Sequence, residues 1–257
     1  MGRSIESGDW LRSLRSDATP RHHLLCFPPG GGPATAYRDL AKQFGAGIAV
    51  SSVQYPGRQD RLGEAPITEL DTLAERIAEE VLKLGIIDGL ALFGHSMGAT
   101  LAFETARRLE RKGQSLTALF VSGRPAPTFV ETQRVHAGSD GDLIAELERL
   151  AADPAPIQML RDEPSLAELV LPAVRADYQA VETYRYTKGA PLTADIVALV
   201  STEDPTMTPD QADEWREFTT GTFDRATFPG GHFYLDERPA EVAKVVAEQL
   251  ARNLSDI

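Results

Sequence analysis

An alcohol set between glycines, Gly94-His95-Ser96-Met97-Gly98, is the most chemically suggestive string in the chain. Short strings recur by chance, so the surroundings carry the weight. The string follows the apolar run Leu90–Phe93 and opens a segment, Ala99–Arg111, with Leu101, Ala102, Ala106 and Leu109 on one helical face. A strand, a strained turn and a helix are what a nucleophile elbow requires, and the glycines allow the sharp turn that leaves the Ser96 hydroxyl at its tip. The competing reading is an ordinary glycine-rich strand-to-helix turn.

A weakly acidic alcohol needs a general base. Five histidines are present, and chain order separates them, because in an elbow-bearing fold the acid and then the histidine follow the serine. His22, His23 and His95 precede or adjoin Ser96, and His136 lies in a segment without strands. His232 sits in Pro229-Gly230-Gly231-His232-Phe233, a glycine-rich loop between the last strand and the last helix. The acid must lie between Ser96 and His232 and also follow a strand. Asp204, in Ser201-Thr202-Glu203-Asp204-Pro205, comes immediately after the apolar run Ile196–Val200. Glu203 and Asp195 compete: Glu203 shares the loop but would point differently, and Asp195 precedes the strand.

Acyl transfer also requires donors for a developing oxyanion. The elbow offers the Met97 amide, and the loop Phe27-Pro28-Pro29-Gly30-Gly31-Gly32 offers Gly30, its first possible donor because prolines carry no N–H. The same glycines do not make a phosphate loop, since no Gly-Lys-Ser/Thr follows and no dinucleotide spacing is kept. No metal-ligand cluster is read either, because His22 and His23 are adjacent and would point to opposite faces of a strand.

These residues need a scaffold that brings loops to one edge. Strands are expected near His23–Phe27, Ile48–Val53, Leu90–Phe93, Thr117–Val121, Ile196–Val200 and Arg225–Phe228. Helices are expected near Ala34–Phe44, Thr68–Leu84, Ala99–Arg111, Asp210–Phe218 and Pro239–Leu254. The alternation predicts an α/β fold of the α/β-hydrolase kind, a mostly parallel central sheet with helices on both faces. Between about 125 and 190 the alternation stops. Two or three amphipathic helices, near Asp142–Ala152 and Ser165–Tyr186, read as a helical lid over the sheet's carboxyl edge, with Pro172 expected to split or kink the second. The chain is thus read as a polar N-terminal extension (1–20) followed by one domain (21–257).

Composition narrows the functional classes. A chain of 257 residues has room for one such domain. Its one cysteine, Cys26, lies in an apolar run and reads as a core thiol in a protein of the cytoplasm. The N-terminal stretch lacks the apolar core of a signal peptide, and no run approaches a membrane span. A net charge of −12 argues against nonspecific binding to nucleic acid.

Taken together, the motifs resemble those of the type II thioesterases, the stand-alone editing enzymes of polyketide synthases and nonribosomal peptide synthetases. The resemblance runs from His23 to the last helix. It is carried by Cys26-Phe27-Pro28-Pro29-Gly30-Gly31-Gly32, Tyr55-Pro56-Gly57-Arg58 with Arg61, Gly94–Ala99 into Ala102-Phe103-Glu104, Ser122-Gly123-Arg124, Tyr178, Glu182-Thr183-Tyr184 and Gly230-Gly231-His232-Phe233. It implies a triad of Ser96, Asp204 and His232 and the hydrolysis of acyl thioesters on the phosphopantetheine arm of acyl- or peptidyl-carrier proteins. No cofactor is implied, the arm belonging to the substrate. Family members often carry Ala where this chain has Gly30, which makes the loop here more flexible. A small-molecule carboxylesterase or lipase is the alternative. Because carrier proteins are usually acidic, as this chain is, recognition should be local. Arg58, Arg61 and Arg124 are candidate contacts to the arm or its carrier, with pairing inside the protein as the competing reading.

Overall fold

The computed structural model describes residues 8–252. Among these, seven strands form one sheet in the order β1-β3-β2-β4-β5-β6-β7. They are β1 (Leu11–Arg15), β2 (His22–Phe27), β3 (Ile48–Val53), β4 (Leu90–His95), β5 (Ala118–Ser122), β6 (Asp195–Ser201) and β7 (Phe223–Phe228). All neighbours pair in parallel except β1, which runs antiparallel to β3. Strands β3, β4 and β5 are buried along their whole length. Both faces of the sheet are covered, so these strands read as nearly continuous apolar runs.

Alternate side chains feed two cores. Leu25, Phe27 and Leu92 point to the face covered by α2 (Leu70–Leu82) and α3 (Met97–Arg111). Leu24, Cys26 and Phe93 point to the face covered by α1 (Arg38–Lys42) and, at the C-terminus, by a helix over Pro239–Arg252. In α2, Leu73, Ile77 and Val81 recur at four-residue spacing and are fully buried, each such aliphatic side chain stabilising the fold by about 1.5–3 kcal/mol.

Between β5 and β6 lie α4 (Asp140–Leu150), α5 (Ala155–Asp162) and α6 (Pro164–Thr183). They pack around Leu143, Ile144, Leu160, Leu171 and Val174, a core separate from those of the sheet. The chain then continues through α7 (Pro209–Asp213), β7, α8 (Tyr234–Glu237) and α9 (Pro239–Arg252).

Several expectations are corrected. The N-terminal 20 residues are not all extension, because Leu11–Arg15 pairs on β3 as an edge strand. Its sequence, Leu-Arg-Ser-Leu-Arg, places apolar residues three apart and so lacks the period-two signature of a strand. Residues 1–7 lie outside the described residues, as does the end of the last expected helix beyond Arg252. Helix α6 runs through Pro172 unsplit. One lost backbone hydrogen bond is outweighed there by the buried Leu171, Ala173 and Val174 on either side. The expected helix Asp210–Phe218 is α7 followed by a 3-10 turn, Glu214–Phe218. The expected Ala34–Phe44 likewise begins as a 3-10 turn, Ala34–Tyr37. Among the described residues, no helix is long and apolar enough to cross a membrane.

Candidate active site

Ser96 occupies the turn between β4 and α3 with φ 54° and ψ −125°, a conformation rare for a residue with a side chain. Its amide donates to Ser122 O (2.8 Å) and its carbonyl accepts from Ala99 N (2.9 Å), which pins the turn. The flanking glycines are required by close approach rather than by the turn alone. A Cβ on Gly94 would come 2.1 Å from Gly98 O, and one on Gly98 would come 2.0 Å from Phe27 O. Thus α3 starts directly against the end of β2, and the Ser96 turn and the Pro28–Gly32 loop are built as one unit.

His232 reaches the same place from the loop after β7. Its Nδ1 lies 2.9 Å from Asp204 Oδ2 and 3.0 Å from Oδ1, and both side chains are buried (1% and 0% exposed). Its Nε2 is buried without a protein partner, and His232 and Ser96 line one cavity. Ser201 Oγ donates to Gly231 O (2.7 Å) and Glu203 N to Gly230 O (3.0 Å), so the two loops that carry the pair are tied to each other. Burial works to raise the Asp204 pKa, but hydrogen bonds from His232 and Thr206 and the nearby imidazole outweigh it. The carboxyl is therefore held below its usual range. Glu203 is exposed, and Asp195 is turned to the opposite end of β6, where it accepts from Gln249 and from Thr222 N.

Met97 and Gly30 both line the cavity, which measures about 240 Å³. Met97 is the first residue of α3, so its N–H has no intrahelical acceptor. Beside Gly30, the amides of Gly31 and Gly32 are already engaged, with Asp177 Oδ2 (2.7 Å) and Pro29 O (2.9 Å). A second cavity of about 310 Å³ shares Pro29, Gly30, Leu147 and Phe233 with the first and continues under the lid between Leu160 and Val174.

The three arginines are not free surface cations. Arg58 forms a bidentate pair with Asp177 (2.6 and 2.8 Å) and is itself buried. Arg61 is held by Glu64 (2.6 and 2.7 Å) and Gln54 O (2.8 Å), with the Trp10 ring 4.1 Å away. Arg124 pairs with Glu131 and also lines the cavity that Ser96 and His232 share. Their expected role as contacts for the arm or its carrier gives way to internal pairing for Arg58 and Arg61. Asp177 lies 119 residues from Arg58 in the chain, too far for spacing to reveal.

Other supporting residues were also missed in the sequence. Thr206 donates through both its amide (2.8 Å) and its hydroxyl (2.7 Å) to Asp204 Oδ1. Asp-Pro-Thr is an Asx-turn pattern, so that contact was in principle legible. His95 packs against His232 with ring centroids 4.7 Å apart, and its Nδ1 lies 2.9 Å from Ser122 Oγ, which in turn is 2.7 Å from the Tyr234 hydroxyl. Burial, helped by the neighbouring His232 and opposed by Asp204, pushes the His95 pKa well below its ordinary value, so this imidazole is neutral. Gly123, with φ +59°, makes room for both rings.

A strained serine at a strand-to-helix turn, sharing a cavity with a histidine that is backed by a buried carboxylate, at one edge of a mostly parallel sheet, is the layout of an α/β-hydrolase of the serine class. Comparison with known proteins narrows this further. Residues 22–250 match the thioesterase domain family, and the chain belongs to it. The chain is 41% identical over 241 residues to a probable cadicidin biosynthesis thioesterase of Streptomyces griseus, covering 94% of this chain and 66% of that protein. It is 37% identical to thioesterase PikA5 of Streptomyces venezuelae, over 96% of this chain and 87% of that one. Among solved structures, the type II thioesterase BorB from the borrelidin biosynthetic cluster superposes with a TM-score of 0.83 at 44% identity, covering 96% of this chain and 98% of that chain.

Proposed function

We propose that this thioesterase hydrolyses acyl thioesters carried on the phosphopantetheine arm of acyl- or peptidyl-carrier proteins, releasing groups that stall or misprime a polyketide or nonribosomal peptide synthase. The observation that carries the chemistry is the buried Asp204–His232 pair, whose unpartnered Nε2 belongs to a residue lining the same cavity as Ser96. Kinship with thioesterases of biosynthetic clusters supports the substrate class.

In this reading Ser96 Oγ attacks the thioester carbonyl as His232 Nε2 takes its proton, and Asp204 holds the imidazole's tautomer and stabilises its cation. The tetrahedral oxyanion accepts from the Met97 and Gly30 amides. Collapse breaks the C–S bond, and His232 protonates the departing thiol. Water, deprotonated by the same imidazole, then cleaves the acyl-serine ester and restores Ser96. The cavity bordered by Arg124 and Glu131 suits the polar arm, and the one between Leu160 and Val174 suits an apolar acyl group.

The test compares kcat/KM on an acyl-loaded carrier protein with that on the matching oxygen ester, each with Ser96→Ala as control. A preference for the carrier thioester that Ser96→Ala abolishes is expected. A preference for the oxygen ester would assign the chain to the carboxylesterases instead.

A further inference from the structure

The Tyr55-Pro56-Gly57-Arg58 segment has no part in the chemistry above, yet with Gln54 it is nearly all buried and it faces the oxyanion loop. The contacts of that loop are specific. Tyr37 donates its hydroxyl to Phe27 O (2.7 Å) and Tyr55 its hydroxyl to Pro28 O (3.0 Å). Gly31 N donates to Asp177 Oδ2, Arg58 Nη1 donates to Gly32 O (3.3 Å), and Ala34 N donates to Gln54 Oε1 (3.0 Å). The loop is therefore gripped on both sides of Gly30, which lines the cavity shared by Ser96 and His232.

Two of these grips belong to one ion pair that joins distant parts of the fold. Asp177 and Val174 lie three residues apart on α6 and so share a face of the lid helix. Val174 meets Gly31, where an added Cβ would come 3.1 Å from it, while Asp177 binds the Gly31 amide and is crossed by the Arg58 fork. The pair is buried, with side-chain exposures of 9% and 2%. Asp177 also sits beside Gly30, whose added Cβ would lie 3.6 Å from Asp177 Cβ. An uncompensated carboxylate there would repel negative charge developing at the Gly30 amide.

We infer that Asp177 and Arg58 are positioning residues for the oxyanion hole: the Arg58–Asp177 pair clasps the glycine loop to the lid helix, sets the direction of the Gly30 amide, and cancels a carboxylate charge beside the oxyanion. The inference rests on the reading of Gly30 as an oxyanion donor. It gives the lid helix a direct hold on transition-state stabilisation, so that docking of α6 and preorganisation of the hole are one event. A bidentate fork is suited to this because it fixes direction as well as charge.

Variants Arg58→Met, Asp177→Asn and the double substitution test it, with Arg58→Lys as the milder change should Arg58→Met fail to fold. Each is measured for kcat and KM on a short acyl thioester of N-acetylcysteamine, for affinity toward an alkyl trifluoromethyl ketone, and for folded fraction by active-site titration. The ketone adds Ser96 Oγ to its carbonyl carbon, passes the proton to His232 and places an oxyanion in the hole. Arg58→Met is expected to lower kcat about 100-fold, approaching outright removal of a donor, with KM within about threefold and ketone affinity falling in parallel. Arg58→Lys should lose about tenfold. Adding Asp177→Asn to Arg58→Met should restore about tenfold, because it removes the stranded carboxylate, whereas a purely structural pair would gain nothing. The inference is overturned if Arg58→Met or Arg58→Lys keeps kcat within threefold of the parent, if ketone affinity stays constant while kcat falls, or if the double variant is no faster than Arg58→Met. Should Ser96→Ala retain turnover or ketone binding, the catalytic reading itself fails rather than the clasp.

Discussion

Gly123→Ala separates what the fold requires of the active site from what it requires of the backbone. Gly123 follows β5 with φ +59°, and a Cβ there would stand 2.6 Å from His95 Cε1, 3.1 Å from His95 Nδ1 and 3.2 Å from His232 Cε1. Carbon atoms rest at about 3.5–4.0 Å, so the His95 ring must retreat by about 1 Å. It is wedged against His232 (4.7 Å between centroids) and Phe233 (5.3 Å), so the displacement passes into the His232 imidazole. A misplacement of about 1 Å in such a site lowers the rate about 100-fold. The left-handed backbone alone costs an alanine about 1–2 kcal/mol. The chain contains a control for that part, since Gly113 has φ +85° with nothing within 4 Å of an added Cβ. Gly113→Ala should therefore lose about 1–2 kcal/mol in urea unfolding and Gly123→Ala that amount plus the cost of the clash, while only Gly123→Ala loses kcat on a short acyl thioester. Folded fractions are fixed by fluorophosphonate titration. If Gly123→Ala keeps kcat within threefold of the parent, or Gly113→Ala loses as much, the claim that Gly123 clears space for the histidines is wrong.

Asp204→Asn should slow turnover by about 10⁴-fold through the wrong imidazole tautomer, whereas exposed Glu203→Gln should leave it near the parent value. Steady-state kinetics on both variants decide the assignment, which a reversed ranking would refute. Acid stability should register His95. Its pKa is depressed in the fold, first by burial, so below about 6.5 the unfolded chain gains a proton that the native state refuses. The contribution of this site is fully present above that pH and is lost as pH falls, by up to about 1.4 kcal/mol per unit. Urea titrations between pH 6.5 and 5 should show a shallower slope for His95→Asn than for the parent, and equal slopes would contradict the neutral buried imidazole. Gly30→Ala should be tolerated, because its nearest contacts would be ordinary ones at 3.6–4.0 Å and its φ is not left-handed. With less loop freedom, kcat should equal or exceed that of the parent, and a tenfold loss would show that the loop needs glycine there.

The strand–turn–helix around Ser96, the loops that bring Asp204 to His232, and the parallel sheet were legible because each is written in local pattern. Glycines must flank Ser96 where the backbone meets Phe27 O, and buried strands must be apolar on both faces. Strand β1 was hidden because an edge strand with one fully buried residue has little periodicity to show. Pro172 does not split α6 because propensity is local, while the packing that keeps α6 whole is not. The arginines mark the limit most clearly. The sequence by itself determined that cations follow β3 and β5, but a cation's role depends on which carboxylate meets it, and Asp177 arrives from the lid helix 119 residues away. Only the tertiary structure decided that Arg58 is an interior clasp rather than a surface contact, because pairing and burial are set by distances between segments that chain spacing does not encode.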